Sequence, residues 1–127
     1  MKPQDFKDNF VLFLETGFIA VNQQDEISTL KLFECCEILD PKNVLPKVGK
    51  GYLHIHKLEL PEAIKCFEEV LKEEPKNEMA KTFMGLSYCL MPGGVEKGEK
   101  LLSEMSKGAE DKTVKMKPKS TPAEKEQ

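Results

Sequence analysis

Apolar side chains recur along this chain at spacings of three and four residues. Val11, Leu14, Phe18 and Val21 form one such series, Leu45, Val48, Tyr52 and Ile55 a second, and Met79, Thr82, Leu86 and Cys89 a weaker third. Spacing of this kind puts the members of each series on one face of an α-helix. Each series begins 34 residues after the one before it. Other residues keep the same interval: Gly17 returns as Gly51 and Gly85, Phe33-Glu34 as Phe67-Glu68, and Pro41-Lys42-Asn43 as Pro75-Lys76-Asn77. A fixed period of this length signals stacked helical units, each completing its core against a neighbour. It predicts helices near 5-22, 26-39, 43-56, 61-73, 77-90 and 95-106.

The markers inside the period are specific. In the second copy Gly51, Ala63, Phe67 and Pro75 stand at the offsets of the tetratricopeptide pattern, which the chain therefore resembles. The first copy keeps Gly17, Phe33 and Pro41, with Thr29 in the place of the small residue. The third keeps Gly85 and Tyr88, then gains one residue in the turn Met91-Pro92-Gly93-Gly94, so that Gly98 and Leu102 follow one place late. An added residue there costs little, because loop closure depends weakly on length.

Each marker has a physical role. Gly17, Gly51 and Gly85 let the two helices of a hairpin cross closely, with Ala63 and Gly98 small on the opposing side. Phe33, Phe67 and Leu102 are the expected knobs between hairpins, each worth roughly 1.5–3 kcal/mol of burial. Pro41 and Pro75 end helices, since proline drives the residue before it out of the α region. The expected fold is all-α: three tetratricopeptide-like helical hairpins stacked as a short right-handed solenoid over 1-106, with repeats at about 10-43, 44-77 and 78-106. A disordered, charged tail is expected over 107-127, where only Val114 and Met116 are larger apolar residues.

Composition narrows the function. A chain of 127 residues, 39% hydrophobic and 32% charged, suits one globular unit. Its formal charge of -3, with lysines scattered among acids, offers no footprint for a phosphate backbone. The longest apolar run, Phe10 to Leu14, falls far short of the roughly 20 residues that span a bilayer. A cytoplasmic protein is expected, with neither nucleic acid nor membrane insertion among its partners.

Catalytic and metal constellations are weak. Cys35, Cys36, Cys66 and Cys89 lack a Cys-x2-Cys spacing and are expected as small core residues. His54 and His56 lie two apart on one helix and face different ways. Gly93-Gly94 lacks the Gly-Lys-Ser/Thr ending of a phosphate loop. No enzyme activity, cofactor or metal is expected.

The twelve positions of the three helical series are the candidate groove: Val11, Leu14, Phe18, Val21, Leu45, Val48, Tyr52, Ile55, Met79, Thr82, Leu86 and Cys89. In tetratricopeptide arrays these positions line a concave face, and apolar residues there suit the apolar side of an amphipathic helix. Co-chaperones of this class that capture a C-terminal carboxylate use a clamp of Lys, Asn and Arg. Here the matching positions hold Leu14, Phe18, Gly49, Met79 and Phe83, which supply no cation.

A short chain of about three such repeats with an apolar face and no capping helix resembles the chaperones of bacterial type III secretion. From Leu14-Glu15-Thr16-Gly17 to Leu101-Leu102 the likeness is to the needle-subunit chaperones. The resemblance implies a cytoplasmic chaperone that cradles an amphipathic helix of a needle subunit and keeps it unpolymerised, with room for a small co-chaperone and for a homodimer when unliganded. The alternative is a general scaffold or adaptor in a larger assembly.

Overall fold

The computed structural model describes the backbone of residues 3–113 and the side chains of residues 7–107. The fold is all-α, and the described residues form six helices: α1 (Pro3–Asn22), α2 (Glu26–Leu39), α3 (Leu45–His56), α4 (Leu60–Glu73), α5 (Glu78–Leu90) and α6 (Val95–Thr113). Each packs on the next in sequence, and α3 also packs on α1 and α5. α1 with α2, α3 with α4, and α5 with α6 are antiparallel. In the first pair Phe10 lies against Cys36 and Gly17 against Phe33. In the second Lys47 reaches Glu69 and Gly51 meets Phe67. In the third Thr82 reaches Met105 and Gly85 meets Leu102.

One contact recurs in all three hairpins and sets their spacing. A methyl carbon placed on Gly17 would lie 2.5 Å from the Phe33 ring, and one on Gly51 would lie 2.5 Å from the Phe67 ring. On Gly85 it would lie 2.9 Å from Leu102. Any side chain there pushes the helices apart, so glycine is required by packing at these points. Phe33 and Phe67 are fully buried. Phe33 also meets Gly49 of the next hairpin, so its ring is held between two glycines.

The turns inside the first two hairpins are built alike as well. After α1, the Gln24 N–H bonds the Val21 carbonyl and the Asp25 N–H bonds that of Ala20, with Gln24 at φ 61°. After α3, Leu58 and Glu59 repeat both bonds to Ile55 and His54, with Leu58 at φ 59°. Both are left-handed helix caps of the Schellman type. The third turn again has a left-handed residue, here Gly93 at φ 78°. Between hairpins, Asn43 and Asn77 start the following helices: the Leu45 N–H donates to Asn43 Oδ1 and the Ala80 N–H to Asn77 Oδ1, both at 2.9 Å. α3 begins at Leu45 rather than near residue 43, with Val44 at its N-cap and Asn43 one residue outside it.

The other end of the chain corrects an expectation. α6 runs to Thr113, so residues 107–113 of the expected tail are helix, and the rest of it, residues 114–127, lies outside the described residues. Once a helix is nucleated each further residue adds a hydrogen bond, and Lys107, Ala109, Glu110 and Lys112 favour the helix. Among the cysteines, Cys36 is buried and its thiol is pushed up to about 11 by desolvation, with Cys66 raised for the same reason. Cys35 is exposed and is not a core residue, because the buried side of α2 is claimed by Thr29, Phe33 and Cys36.

Candidate functional site

The groove expected over twelve positions divides into two stripes. Val21 and Val48 are fully buried and Ile55 nearly so. Val21 packs with Phe33 and Leu53, while Val48 and Ile55 pack with Ala63, Phe67 and Val70 of α4. Leu14 is half-buried against the first of these clusters. In the third hairpin the Thr82 hydroxyl lies 3.3 Å from Met105 Sδ, and Cys89 Sγ lies against Gly98, so both side chains turn toward α6. Val21, Val48 and Ile55 are therefore corrected from groove to hairpin interior, while Leu14 and Cys89 are half-buried beside them and Thr82 is exposed. The reason is angular. Residues seven apart form one stripe of a helix, and the stripe of Leu14/Val21, Val48/Ile55 and Thr82/Cys89 faces the hairpin's own second helix.

The other six remain open to differing degrees. Val11, Met79 and Leu86 are exposed, and Phe18, Leu45 and Tyr52 are half-buried. Around Phe18 and Tyr52 the rings form a continuous strip. Phe18 meets Phe33 edge-on at 5.5 Å and Tyr52 at 5.4 Å, and Tyr52 stacks on Phe83 at 5.1 Å with an interplanar angle of 26°. Phe83 continues to Phe67 at 5.9 Å. The strip thus crosses α1, α3 and α5 and is anchored at both ends on the two buried knobs. Offset and edge-on ring pairs of this kind add roughly 0.5–1.5 kcal/mol each beyond burial.

Polar groups frame the rings. The Tyr52 hydroxyl donates to Asn22 Oδ1 at 2.7 Å, and the His56 ring stands edge-on to Tyr52 at 4.6 Å. Asn22 and His56 are both exposed, and Leu90 is 48% exposed one helical turn beyond Leu86. A pocket of about 290 Å³ bounded by Val21, Gln24, Glu26, Leu53, His56 and Lys57 opens beside His56. Asn22, His56, Phe83 and Leu90 were absent from the expected groove. Asn22, His56 and Leu90 do share one place in the period, which is the signal that points to them.

Charged pairs tie helices together. Lys47 pairs with Glu69 at 2.8 Å, Lys50 with Glu37 at 2.9 Å, and Lys57 with Glu26 at 3.0 Å. Hydrogen bonding to Lys47 holds the Glu69 carboxyl below its ordinary range, and a bond from His54 does the same for Glu59. His54 Nδ1 lies 2.8 Å from Glu59, away from His56, which turns to Tyr52. Among the described residues, no group of three or more His, Cys, Asp or Glu is placed to hold a metal ion, and no helix is long and apolar enough to cross a membrane. The arrangement suits docking of an apolar surface, with one hydroxyl, one amide and one imidazole at its edge. No known protein family, characterised protein or solved structure matches the chain.

Proposed function

We propose that the protein is a binding chaperone that holds an amphipathic helix of a partner on the strip formed by α1, α3 and α5. The observation that carries this is the half-buried row Phe18–Tyr52–Phe83, flanked by exposed Val11, Met79, Leu86 and Leu90. An open row of rings and aliphatic side chains on packed helices offers rigid apolar area to a helix of matching apolar spacing. The repeat markers and the groove chemistry support a tetratricopeptide-like array of the type III secretion kind, with a needle subunit as the bound partner and the cytoplasm as its place of work. In that role the strip covers the subunit's polymerising face until export.

The test is titration calorimetry with a synthetic peptide of the C-terminal helix of a needle subunit encoded beside this chain. Phe18→Glu and Tyr52→Glu each put a charge into a surface that must shed its water, and each is expected to weaken binding more than about a hundredfold. Circular dichroism of both variants should stay near that of the parent. Lys72→Glu, on an exposed position of α4, serves as the control and should bind normally. Normal binding by folded Phe18→Glu and Tyr52→Glu variants would remove the strip from consideration. Absence of a needle-type gene nearby, with no peptide binding, would overturn the secretion role.

A further inference from the structure

The outward side of α2 differs from that of the helices holding the same place in the other hairpins. Ile27, Lys31, Glu34 and Ile38 are all exposed there, with Ile27 at 71% and Ile38 at 78%. The same places on α4 hold Pro61, Lys65, Glu68 and Lys72, all exposed. On α6, one residue later, they hold Glu96, Lys100, Ser103 and Lys107, again all exposed. Packing of a hairpin therefore does not require isoleucine at these points, since the two sister helices do without it.

The four residues follow one another at steps of four, three and four, which is the seam of a two-helix coiled contact. That seam complements itself. When α2 lies antiparallel to a second α2, about a two-fold axis between Leu32 and Phe33, Ile27 comes level with the partner's Ile38. Lys31 then comes level with the partner's Glu34, and symmetry repeats both pairs. In a parallel arrangement Lys31 would meet its own copy, as would Glu34, so charge selects the antiparallel one. Neither Lys31 nor Glu34 has an ion-pair partner among the described residues of the chain. Leu30, 37% exposed, borders the seam and adds apolar area.

We propose that the outer seam of α2 is a homodimer contact, in which it packs antiparallel on α2 of a second copy through Ile27–Ile38 and Lys31–Glu34 pairs. One 14-residue helix offers less than the usual interface area of stable complexes, so the dimer belongs to the weak, concentration-dependent class. Partner binding by the α1/α3/α5 strip and self-association through α2 have separate readouts, so either can fail alone.

Sedimentation equilibrium of the full chain, over a wide concentration range, is the test. The mass is expected to climb from 14.4 kDa toward twice that value. Ile38→Lys, which installs the residue of the matching place on α4, should raise the dissociation constant at least about tenfold. Lys31→Glu and Glu34→Lys should each weaken the dimer, and the double variant Lys31→Glu/Glu34→Lys should restore it, because both pairs re-form with reversed sign. Restoration separates this register from unspecific stickiness of exposed isoleucine. A chain monomeric throughout would overturn the proposal and leave the face to a different protein. So would a dimer unaffected by Ile38→Lys, a double variant that stays as weak as the single ones, or a dimer lost instead in Phe18→Glu.

Discussion

Where the first hairpin meets the second, the Phe33 ring sits between Gly17 and Gly49; where the second meets the third, Phe67 has Gly51 on one side and the Phe83 ring on the other. The first junction brings backbone down onto a ring, while the second inserts another ring. The difference decides how each knob reaches the open strip. Phe33 reaches it inside its own hairpin, edge-on to Phe18 of α1. Phe67 reaches it across hairpins, through Phe83 of α5. A partner pressing on Phe83 therefore loads the contact between hairpins two and three, whereas one pressing on Phe18 loads the interior of the first hairpin.

If both knobs are equivalent, removing either should cost nearly the same. Phe33→Ala and Phe67→Ala are each expected to lose about 3–5 kcal/mol, read from urea denaturation, because both rings are fully buried. Loss at only one of them would show that one junction is dispensable. A smaller effect is expected from making the first junction imitate the second. Gly49→Phe drives a ring into the space that Phe33 already fills, at a cost of about 1–3 kcal/mol, and a neutral outcome would mean the two junctions are interchangeable. The smallest effect concerns the turns. Leu58, in its helix cap, and Gly93, in the turn that the Gly94 N–H closes on the Met91 carbonyl, are both left-handed, and a side chain at such a residue costs roughly 1–2 kcal/mol that glycine avoids, less about 0.5–1 for glycine's greater freedom when unfolded. Leu58→Gly should thus gain about 0.5 kcal/mol and raise the melting temperature slightly, while Gly93→Leu should lower it.

Much of this comparison could be read from residue order, and some of it could not. The 34-residue interval located five of the six helices to within two residues at both ends and marked Gly17, Gly51, Phe33 and Phe67 as packing positions, but it set the glycines against small residues, and the pairing of Gly17 with Phe33 and of Gly51 with Phe67 is visible only in the fold. It misplaced part of the groove because the four members of each helical series, such as Leu45, Val48, Tyr52 and Ile55, span too wide an arc for one open face. Burial of Val48 and Ile55 depends on Phe67 and Val70 lying across from them, which no property of α3 alone expresses. Phe83 stood out only as a place lacking a clamp cation and not as a groove residue, because its place in the period is Glu15 in the first copy and Gly49 in the second, so no residue type recurs there. The left-handed turns were visible only at Gly93; Gln24 and Leu58 carry no such mark, and their geometry follows from the helix cap. Asn43 and Asn77 recurred plainly, yet their roles differ in the fold: Asn77 caps α5 by accepting from the Ala80 N–H, while Asn43 accepts from the Leu45 N–H just outside the cap of α3.

The chain contains two tyrosines and no tryptophan. One of them, Tyr88, lies under Lys97 at 4.4 Å, between α5 and α6. The other, Tyr52, is the ring at the middle of the strip, touching Phe18, Phe83 and His56, with its hydroxyl on Asn22. At wavelengths beyond the phenylalanine band, absorbance and emission of this molecule therefore come from the two tyrosines, and one of them stands where a partner would rest. With Tyr88 replaced by Phe, the surviving signal belongs to Tyr52 alone, so the face carries its own optical label and its occupancy can be followed without a dye.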